Sequence, residues 1–307
     1  MTRVLAVDGG QSGIRLKSTE QAGTVEVEGV SRLEGETMRM VASAVESAWQ
    51  QGHFAPVDRV VLGLTTSPPT PAAAEELAAL VAAIAGASEV WIANDTVTAH
   101  AGALSAEPGV ALIAGTGIAC LAVKETGDAR SVDGDGYLLG DAGGGFWIGS
   151  RGIAAVLKQH DGRGEVTALT DRASEAFEGI EDLAARLHSE PRPVNRISQF
   201  ARDVLAAASD GDPVARAIID SAARELFATA QVAMNWIGPT APLALGGKLL
   251  GPNTPLFARI VELLAVEGSS FRPADSTPLD GGLIIGTEVT PDLYRSLIHV
   301  WQEGTLL

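Results

Sequence analysis

Two glycine-centred turns of the same kind recur in this chain. The first, GGQSG at residues 9–13, follows the strand-like segment 4–8, and the second, GTG at residues 115–117, follows the apolar segment 110–114. Glycine lets a backbone turn tightly and approach a ligand closely, and successive N–H groups in such a turn form a concave anion site. Two facing turns of this kind can hold a chain of phosphates, so the sequence predicts a nucleotide-binding phosphotransferase.

Two aspartates stand where such a site needs carboxylates. Asp8 ends the first strand and can hold a hydrated Mg²⁺, because this ion keeps several waters and takes one or two protein carboxylates. The alternative is a turn-forming Asp before two glycines. Asp95 follows the predicted strand 89–93, at the carboxyl end where α/β proteins bind ligands. It can act as the base for an acceptor hydroxyl, or it can cap the helix that follows.

The composition narrows the class of protein. The 307 residues are enough for two ordinary domains, and 46% of them are hydrophobic. A formal net charge of −16 argues against nucleic acid or an anionic membrane as the partner. The single cysteine, Cys120, excludes an intrachain disulfide and is expected to be a small buried strand residue. No signal-peptide pattern or membrane span is evident, so a cytoplasmic protein is expected.

The order of predicted elements repeats along the chain. Three strands at 3–8, 13–18 and 24–30 precede alternating helices and strands, and a second set of three strands begins at residue 109. The repetition predicts an N-terminal lobe at 1–106 and a larger C-terminal lobe at 107–307. A helical insertion is expected at about 160–236. A closing helix at 283–307 is expected to pack back on the first lobe.

Five short motifs resemble those of one superfamily. The segments 8–12 (DGGQS), 115–117 (GTG) and 244–248 (ALGGK) resemble the two phosphate loops and the adenosine loop of the sugar kinase, Hsp70 and actin superfamily. Within it, segments 94–96 (NDT) and 140–149 (GDAGGGFWIG) are similar to the N-acetylglucosamine kinase family, also called the BadF/BadG/BcrA/BcrD ATPase family. The resemblance implies an α/β fold of two ribonuclease H-like (actin-like ATPase) domains. Each derives from a duplicated βββαβαβα unit, with a cleft between them.

The resemblance also implies a reaction and a set of site residues. The reaction is ATP-dependent phosphorylation of N-acetylglucosamine or glucosamine at the C6 hydroxyl by a homodimer. Asp95 is the implied base, and Asp8 is the implied Mg²⁺ residue, acting through water. The implied ATP-binding residues are Gly9, Gly10, Gln11, Ser12, Gly115, Thr116, Gly246 and Gly247. The implied sugar-binding residues are Asn94, Asp95, Gly117, Gly136, Tyr137 and Asp141.

The sequence departs from the family pattern at three positions and leaves alternatives open. Gln11 stands where a third glycine is common, Gly13 where a lysine or arginine is common, and Ala142 where a glutamate is common. Arg15 or Lys17 can supply the missing cation if the strand points it inward, or each can be a solvated strand residue. The alternative functions are a kinase for another sugar such as N-acetylmuramic acid, an activator ATPase of an iron–sulfur dehydratase system, and a non-catalytic nucleotide-binding regulator. Glu34 gives a hint of glucosamine, because a carboxylate can pair with a free ammonium.

Overall fold

The computed structural model describes residues 2–10, 13–30, 37–238, 240–287, 292–302 and 304–306. The chain forms two compact units: unit 1 contains residues 1–111, 121–130 and 273–307, and unit 2 contains residues 112–120 and 131–272. The predicted lobes, 1–106 and 107–307, differ from these units at 107–111, 121–130 and 273–307, which all belong to unit 1. Segment 121–130 belongs there because Leu121 and Val123 are buried in a core cluster of unit 1.

Twelve strands and eleven α-helices are formed by the described residues. The strands are β1 (Val4–Gly9), β2 (Gly13–Ser18), β3 (Val25–Glu28), β4 (Arg59–Leu64), β5 (Glu89–Asn94), β6 (Gly109–Ala114), β7 (Ile118–Val123), β8 (Ala129–Ser131), β9 (Leu243–Gly246), β10 (Arg272–Pro273), β11 (Ile298–Gln302) and β12 (Thr305–Leu306). The helices are α1 (Thr37–Gly52), α2 (Pro71–Ala85), α3 (Asp95–Leu104), α4 (Gly145–His160), α5 (Leu169–Ala176), α6 (Leu183–Ser189), α7 (Pro193–Gln199), α8 (Ala201–Ser209), α9 (Pro213–Ile237), α10 (Pro255–Val266) and α11 (Pro278–Thr287).

The order of strands in the two sheets shows that the unit is duplicated. The first sheet has the order β12-β11-β5-β4-β1-β2-β3, and the second has the order β10-β9-β6-β7-β8. When β11 and β12 are left aside, both sheets have the same plan. Three consecutive strands form a meander, and two later strands lie on the other side of the first strand of that meander. In the first sheet, β1 pairs antiparallel with β2 and parallel with β4, and β4 pairs parallel with β5. The duplicated topology that the sequence predicted is therefore present.

Alternation along the strands gives the first sheet two buried faces. Leu5 and Val7 of β1 belong to one hydrophobic cluster, which includes the apolar stripes of α1 and α2. Val4 belongs to the other cluster, with Val97 of α3 and Ile285 of α11. Because successive side chains of a strand point to opposite faces, a central strand covered on both faces is apolar at almost every position. Strands β1, β4 and β5, which are of this kind, end at the edge of the sheet that is described below.

The predicted closing helix at 283–307 is wrong at its C-terminal end, where the chain forms strands instead. Helix α11 begins at Pro278 and ends at Thr287, and residues 298–302 and 305–306 are strands β11 and β12. β11 pairs antiparallel with β5, so the C-terminal segment extends the first sheet. β-branched and aromatic residues such as Val300 and Trp301 favour a strand at this position, and β12 pairs on the other side of β11. The predicted helical insertion is present as helices α5 to α9.

Candidate active site

Three parallel strands of unit 1 end together at one edge of its sheet. The register of β1, β4 and β5 aligns Gly9 with Leu64 and Leu64 with Asn94. Neighbouring strands are about 4.8 Å apart, so Gly9 and Asn94 lie about 10 Å from each other. Asp8 immediately precedes this row and Asp95 immediately follows it. The carboxyl ends of strands in open α/β sheets are where ligands bind.

Asn94, rather than Asp95, caps helix α3. The Asn94 Oδ1 accepts a hydrogen bond from the Thr96 backbone N at 3.0 Å and another from the Thr96 hydroxyl at 2.7 Å. Asp95 is the first residue of the helix and is half-buried. The capping alternative for Asp95 therefore does not describe this helix, and its carboxylate has another partner.

That partner is Thr65, a residue that the sequence analysis did not select. Thr65 Oγ1 donates a hydrogen bond to Asp95 Oδ2 at 2.5 Å, and the Thr65 backbone N donates to the Gly9 carbonyl at 3.0 Å. One residue thus ties the candidate base to the first glycine turn. The available signal was its place directly after the buried strand β4, at the same sheet edge as Asp8 and Asp95.

Asp8 is paired with an arginine on the neighbouring strand. Arg15 Nη1 lies 3.1 Å from Asp8 Oδ2, and Arg15 Nη2 lies 2.7 Å from Glu26 Oε1. Burial raises the pKa of Asp8, and the charge of Arg15 opposes that shift. The two residues that could replace the missing cation of the first turn therefore have different partners. Arg15 lies against Asp8, whereas Lys17 Nζ lies 2.5 Å from Asp280 Oδ1.

The donors at Asp8 fit a magnesium ion that is held mainly through water. Among the described residues, no group of three His, Cys, Asp or Glu side chains could enclose a metal. Mg²⁺ does not need such a group, because it commonly takes one or two carboxylates, several waters and substrate phosphate oxygens. Asp8 is the residue that would hold it.

The remaining part of the first turn is only partly described. The Gly10 backbone N donates to the Gly13 carbonyl at 3.0 Å, which closes the turn. Gln11, Ser12 and Glu34, three residues named from the sequence, lie outside the described residues. A recess adjoins this turn, and its described lining is mostly apolar: Gly9, Gly10, Ile14, Val30, Thr37, Val41, Leu64 and Thr66.

The second glycine turn in unit 2 is braced by the start of helix α4. The Gly115 N donates to the Gly117 carbonyl at 2.9 Å. The first two helical N–H groups, of Gly145 and Phe146, donate to the Gly115 and Thr116 carbonyls at 2.9 Å each. An ideal Cβ on Gly115 would have no heavy atom within 4 Å. The turn therefore directs its carbonyls toward α4 and keeps an open face at Gly115.

Asp141 lies against the same turn. Only 9% of its surface is exposed, and an ideal Cβ on Gly117 would lie 2.9 Å from the Asp141 Cγ. Asp141 has a left-handed φ of 58°, and its backbone N donates to Asp133 Oδ1 at 2.8 Å. Burial raises the pKa of Asp141, while the backbone N–H groups of Ile118 and Gly136 act to lower it. A carboxylate held in this way is a fixed acceptor for ligand hydroxyl groups.

The loop before Asp141 brings Gly136 and Tyr137 to unit 2's candidate site. Gly136 has a φ of 89°, a conformation that favours glycine, and its carbonyl accepts from the Gly140 N at 2.8 Å. The Tyr137 ring lies edge-on to Phe146, with centroids 4.9 Å apart. Leu138 and Leu139, which follow, are 80% and 92% exposed. Tyr137 is thus a rim residue next to the start of α4.

Gly246 and Gly247 end β9 beside the second glycine turn. Gly247 has a φ of 89°, and a Cβ there would collide with the backbone of Ala114, the residue before Gly115. Close backbone packing therefore explains a glycine at position 247 independently of any ligand. It also brings the predicted adenosine segment next to the predicted phosphate turn within unit 2.

The fold and the strand-end carboxylates define the class of protein. A duplicated three-strand meander with helices on the sheet and glycine turns after β1, β6 and β9 is a two-domain, ribonuclease H-like α/β fold of the actin-like ATPase class. The chain belongs to the BadF/BadG/BcrA/BcrD ATPase family, whose model matches residues 7–249. Both predictions made from the sequence motifs are confirmed.

Relatives agree with this assignment. A stretch of 141 residues is 33% identical to an N-acetylmuramic acid/N-acetylglucosamine kinase of Clostridium acetobutylicum, covering 45% of this chain and 46% of that protein. The chain thus matches less than half the length of this curated relative. Two crystal structures, each of a candidate N-acetylglucosamine kinase, share the fold. The one from Chromobacterium violaceum has a TM-score of 0.71 and 23% identity, covering 94% of this chain and 99% of the other. The one from Porphyromonas gingivalis has a TM-score of 0.69 and 18% identity, covering 92% and 98%.

None of the helices in the described part of the chain is both long and apolar enough to cross a membrane.

Proposed function

We propose that this protein transfers the γ-phosphoryl group of ATP to the C6 hydroxyl of an amino sugar, with N-acetylglucosamine as the acceptor. The observation that carries the proposal is the link from the Gly9 carbonyl through Thr65 to the Asp95 carboxylate. A kinase needs its acceptor base fixed relative to the bound phosphates. The family and the name of the 33% identical relative support the same class of reaction.

In the proposed reaction, Asp95 orients the C6 hydroxyl and takes its proton. The hydroxyl oxygen forms a bond to the γ-phosphorus as the bond from that phosphorus to the bridging oxygen breaks, and ADP leaves with the bonding electrons. Thr65 restrains the carboxylate through its 2.5 Å hydrogen bond. Mg²⁺ at Asp8, when bound, neutralises charge on the phosphates. In unit 1 the first glycine turn is proposed to bind phosphate, and in unit 2 the second turn is proposed to do so, with residues 246 and 247 as the adenosine contacts.

Sugar hydroxyls are proposed to bind at Asp141, with Gly117, Gly136, Tyr137 and Asn94 as further sugar contacts. The buried, hydrogen-bonded position of Asp141 supports this role, because a fixed acceptor discriminates between hydroxyl orientations. Ala142 provides no second carboxylate next to it. Asp141 therefore carries the main charge-assisted contact to the sugar in this proposal.

The acetylated sugar is proposed over glucosamine because the 33% identical relative is named for two N-acetylated sugars. Glu34, which would favour glucosamine, lies outside the described residues.

One further acceptor and two other functions remain to be compared. N-Acetylmuramic acid is the second candidate, because the relative from Clostridium acetobutylicum carries both sugars in its name. An iron–sulfur activator is disfavoured, because cluster ligation needs a thiolate and burial raises the pKa of Cys120 to about 12. A non-catalytic regulator would bind nucleotide without producing a sugar phosphate. We further propose that the protein is a cytoplasmic homodimer, and light scattering in solution tests the oligomeric state.

The first test is the substitution Asp95→Asn, which keeps the shape of the side chain and removes the base. Turnover should fall by about a hundred- to ten-thousand-fold, while the Kd for ATP stays near that of the parent protein. Asp58→Asn is the matched control, because Asp58 is an exposed carboxylate that pairs with Arg3 before the start of β4. Full activity of Asp95→Asn would refute the assigned base.

The second test is a panel of sugars with Mg-ATP, in which ADP and sugar phosphate are measured together. N-Acetylglucosamine, glucosamine and N-acetylmuramic acid are the three acceptors. The expected result is one sugar phosphate per ADP, with N-acetylglucosamine giving the highest kcat/KM. Sugar-stimulated ADP release without sugar phosphate would refute the kinase proposal.

A further inference from the structure

Arg15 stands directly opposite Asp8 in the antiparallel pair of β1 and β2. Residues paired in this way project from the same face of a sheet. The Arg15 guanidinium bridges two carboxylates: Nη1 is 3.1 Å from Asp8 Oδ2, and Nη2 is 2.7 Å from Glu26 Oε1. Carboxylates from the two neighbouring strands, β1 and β3, therefore hold the Arg15 guanidinium beside the first glycine turn.

Gly13 leaves space beside the Glu26 carboxylate. An ideal Cβ at position 13 would lie 2.7 Å from Glu26 Oε1, so a larger residue there would require that carboxylate to shift. The position that lacks a lysine or arginine thus leaves room for the group that orients Arg15. Lys17, two residues along the same strand, is engaged elsewhere, with Asp280.

The ion pairs of Arg15 with Asp8 and Glu26 also change the charge that a nucleotide would meet at the first turn. Asp8 and Glu26 would present two negative charges to an incoming nucleotide polyphosphate, and Arg15 neutralises one of them. Arginine has five N–H donors in a planar fork that suits phosphate oxygens. The two bridges use two of these donors in the structure. A phosphate can therefore be bound while the Glu26 contact is kept.

We propose that Arg15 binds a nucleotide phosphate at the first turn and that Glu26 is its positioning residue. This inference rests on the proposed function, since it assumes that ATP binds at that turn. In the free protein Arg15 neutralises Asp8. When nucleotide binds, phosphate oxygens replace the Asp8 carboxylate as partners of Nη1, and Asp8 becomes accessible to Mg²⁺. Glu26 keeps the guanidinium in place throughout.

The direct test measures the Kd for ATP by calorimetry in EDTA, so that no metal contributes. Arg15→Met should bind ATP about tenfold to a hundredfold more weakly than the unmodified protein. The same comparison is made in an Asp8→Asn background, because an unneutralised Asp8 carboxylate would itself repel ATP. A loss of about tenfold or more in both pairs supports direct phosphate contact. An unchanged Kd in either pair overturns the inference.

The role of Glu26 is tested by coupling. Glu26→Gln should weaken ATP binding about threefold to tenfold when Arg15 is present. In Arg15→Met it should cause no loss of affinity, because there it only removes a negative charge that repels the nucleotide. Additive effects of the two substitutions would overturn the positioning role. A residue that merely stabilised the fold would not give this dependence, and thermal unfolding of each variant checks the fold directly.

Lys17→Met is the matched control, because the Lys17 and Arg15 side chains are both 32% exposed and lie on the same strand. Its Kd for ATP should equal that of the unmodified protein, and a loss of affinity as large as that of Arg15→Met would overturn the specific role of Arg15.

Arg15→Lys is the second variant should Arg15→Met fail to fold. Its expected affinity for ATP lies between those of the unmodified protein and Arg15→Met. If the unmodified protein binds no ATP, the proposed function itself fails. If it phosphorylates the sugar but Arg15→Met and Arg15→Lys bind ATP normally, only this inference fails.

Discussion

The substitution Gly117→Ala tests whether the glycine at position 117 is needed to keep the Asp141 carboxylate in place for sugar binding. The new Cβ would lie 2.9 Å from the Asp141 Cγ, whereas carbon atoms in favourable contact are about 3.5–4.0 Å apart. The carboxyl group must therefore move by up to about 1 Å. Its backbone gives little freedom, because the φ of 58° and the hydrogen bond to Asp133 fix the residue. Crowding of this kind costs about 1–3 kcal/mol of folding free energy. A displaced Asp141 also loses a hydrogen bond from the sugar to a charged group, which corresponds to about a tenfold to hundredfold rise in the Kd for the sugar.

The assay combines urea unfolding with calorimetric titration of N-acetylglucosamine. Gly117→Ala should lower the free energy of unfolding and weaken sugar binding. Gly115→Ala serves as the control for stability, because its Cβ would meet no heavy atom within 4 Å, and its free energy of unfolding should stay within about 0.5 kcal/mol of the parent value. If Gly117→Ala binds the sugar with unchanged Kd, Asp141 is not a sugar contact, whatever the effect on stability.

Two further outcomes concern the glycine beside the second turn and a buried histidine. Gly247→Ala should destabilise the protein by about 3 kcal/mol or more, because it combines a left-handed φ with a backbone collision. Gly251→Ala is the control. A Cβ there would have its nearest contacts at 3.7 Å and 3.8 Å, so the substitution should cost about 1 kcal/mol or less. Equal unfolding midpoints in urea for the two variants would contradict this. Burial lowers the pKa of His100 to about 4. Below about pH 6.5 the unfolded chain therefore protonates this histidine, whereas the folded protein keeps it neutral. As the pH falls from 7 to 5, the free energy of unfolding should decrease by about 2 kcal/mol. His100→Gln should reduce that loss by the same amount, and an identical pH dependence in both proteins would show that His100 is not buried as a neutral group.

The sequence was most informative where a local pattern decides the structure. The apolar segment predicted at 110–114 forms β6, Gly109–Ala114. Local residues likewise account for the ends of α2, which has Pro71 as its first residue and Gly86 directly after its last. The C-terminal segment was predicted poorly, because β11 and β12 are stabilised by pairing with β5 and with each other. Such pairing joins residues that are far apart in sequence, and no window along the chain reveals it.

The same limit applied to the candidate site. Asp8 and Asp95 were found because each follows its own strand, but Thr65 gains its meaning only from the neighbouring ends of β1, β4 and β5. The partner of Arg15 could not be chosen either, since its orientation depends on the register of β2 with β1. Residues that carry reactive groups were thus predictable, while those that position them required the tertiary structure.

The duplicated topology offers a reason for the different chemistry of the two units. By sheet order, β1, β4 and β5 correspond to β6, β9 and β10. The first set ends in side chains that can donate or accept protons and hold cations, namely Asp8, Thr65 and Asp95. At the two corresponding ends of β6 and β9 stand Gly115 and Gly247, which offer backbone groups and close approach. Under the proposed function, one scaffold would support two roles: side-chain chemistry in unit 1 and backbone binding, supplemented by Asp141, in unit 2. If this division is correct, removing side-chain groups in unit 1 should reduce turnover more than binding, and adding bulk to the glycines of unit 2 should reduce binding more than the rate of the bound complex.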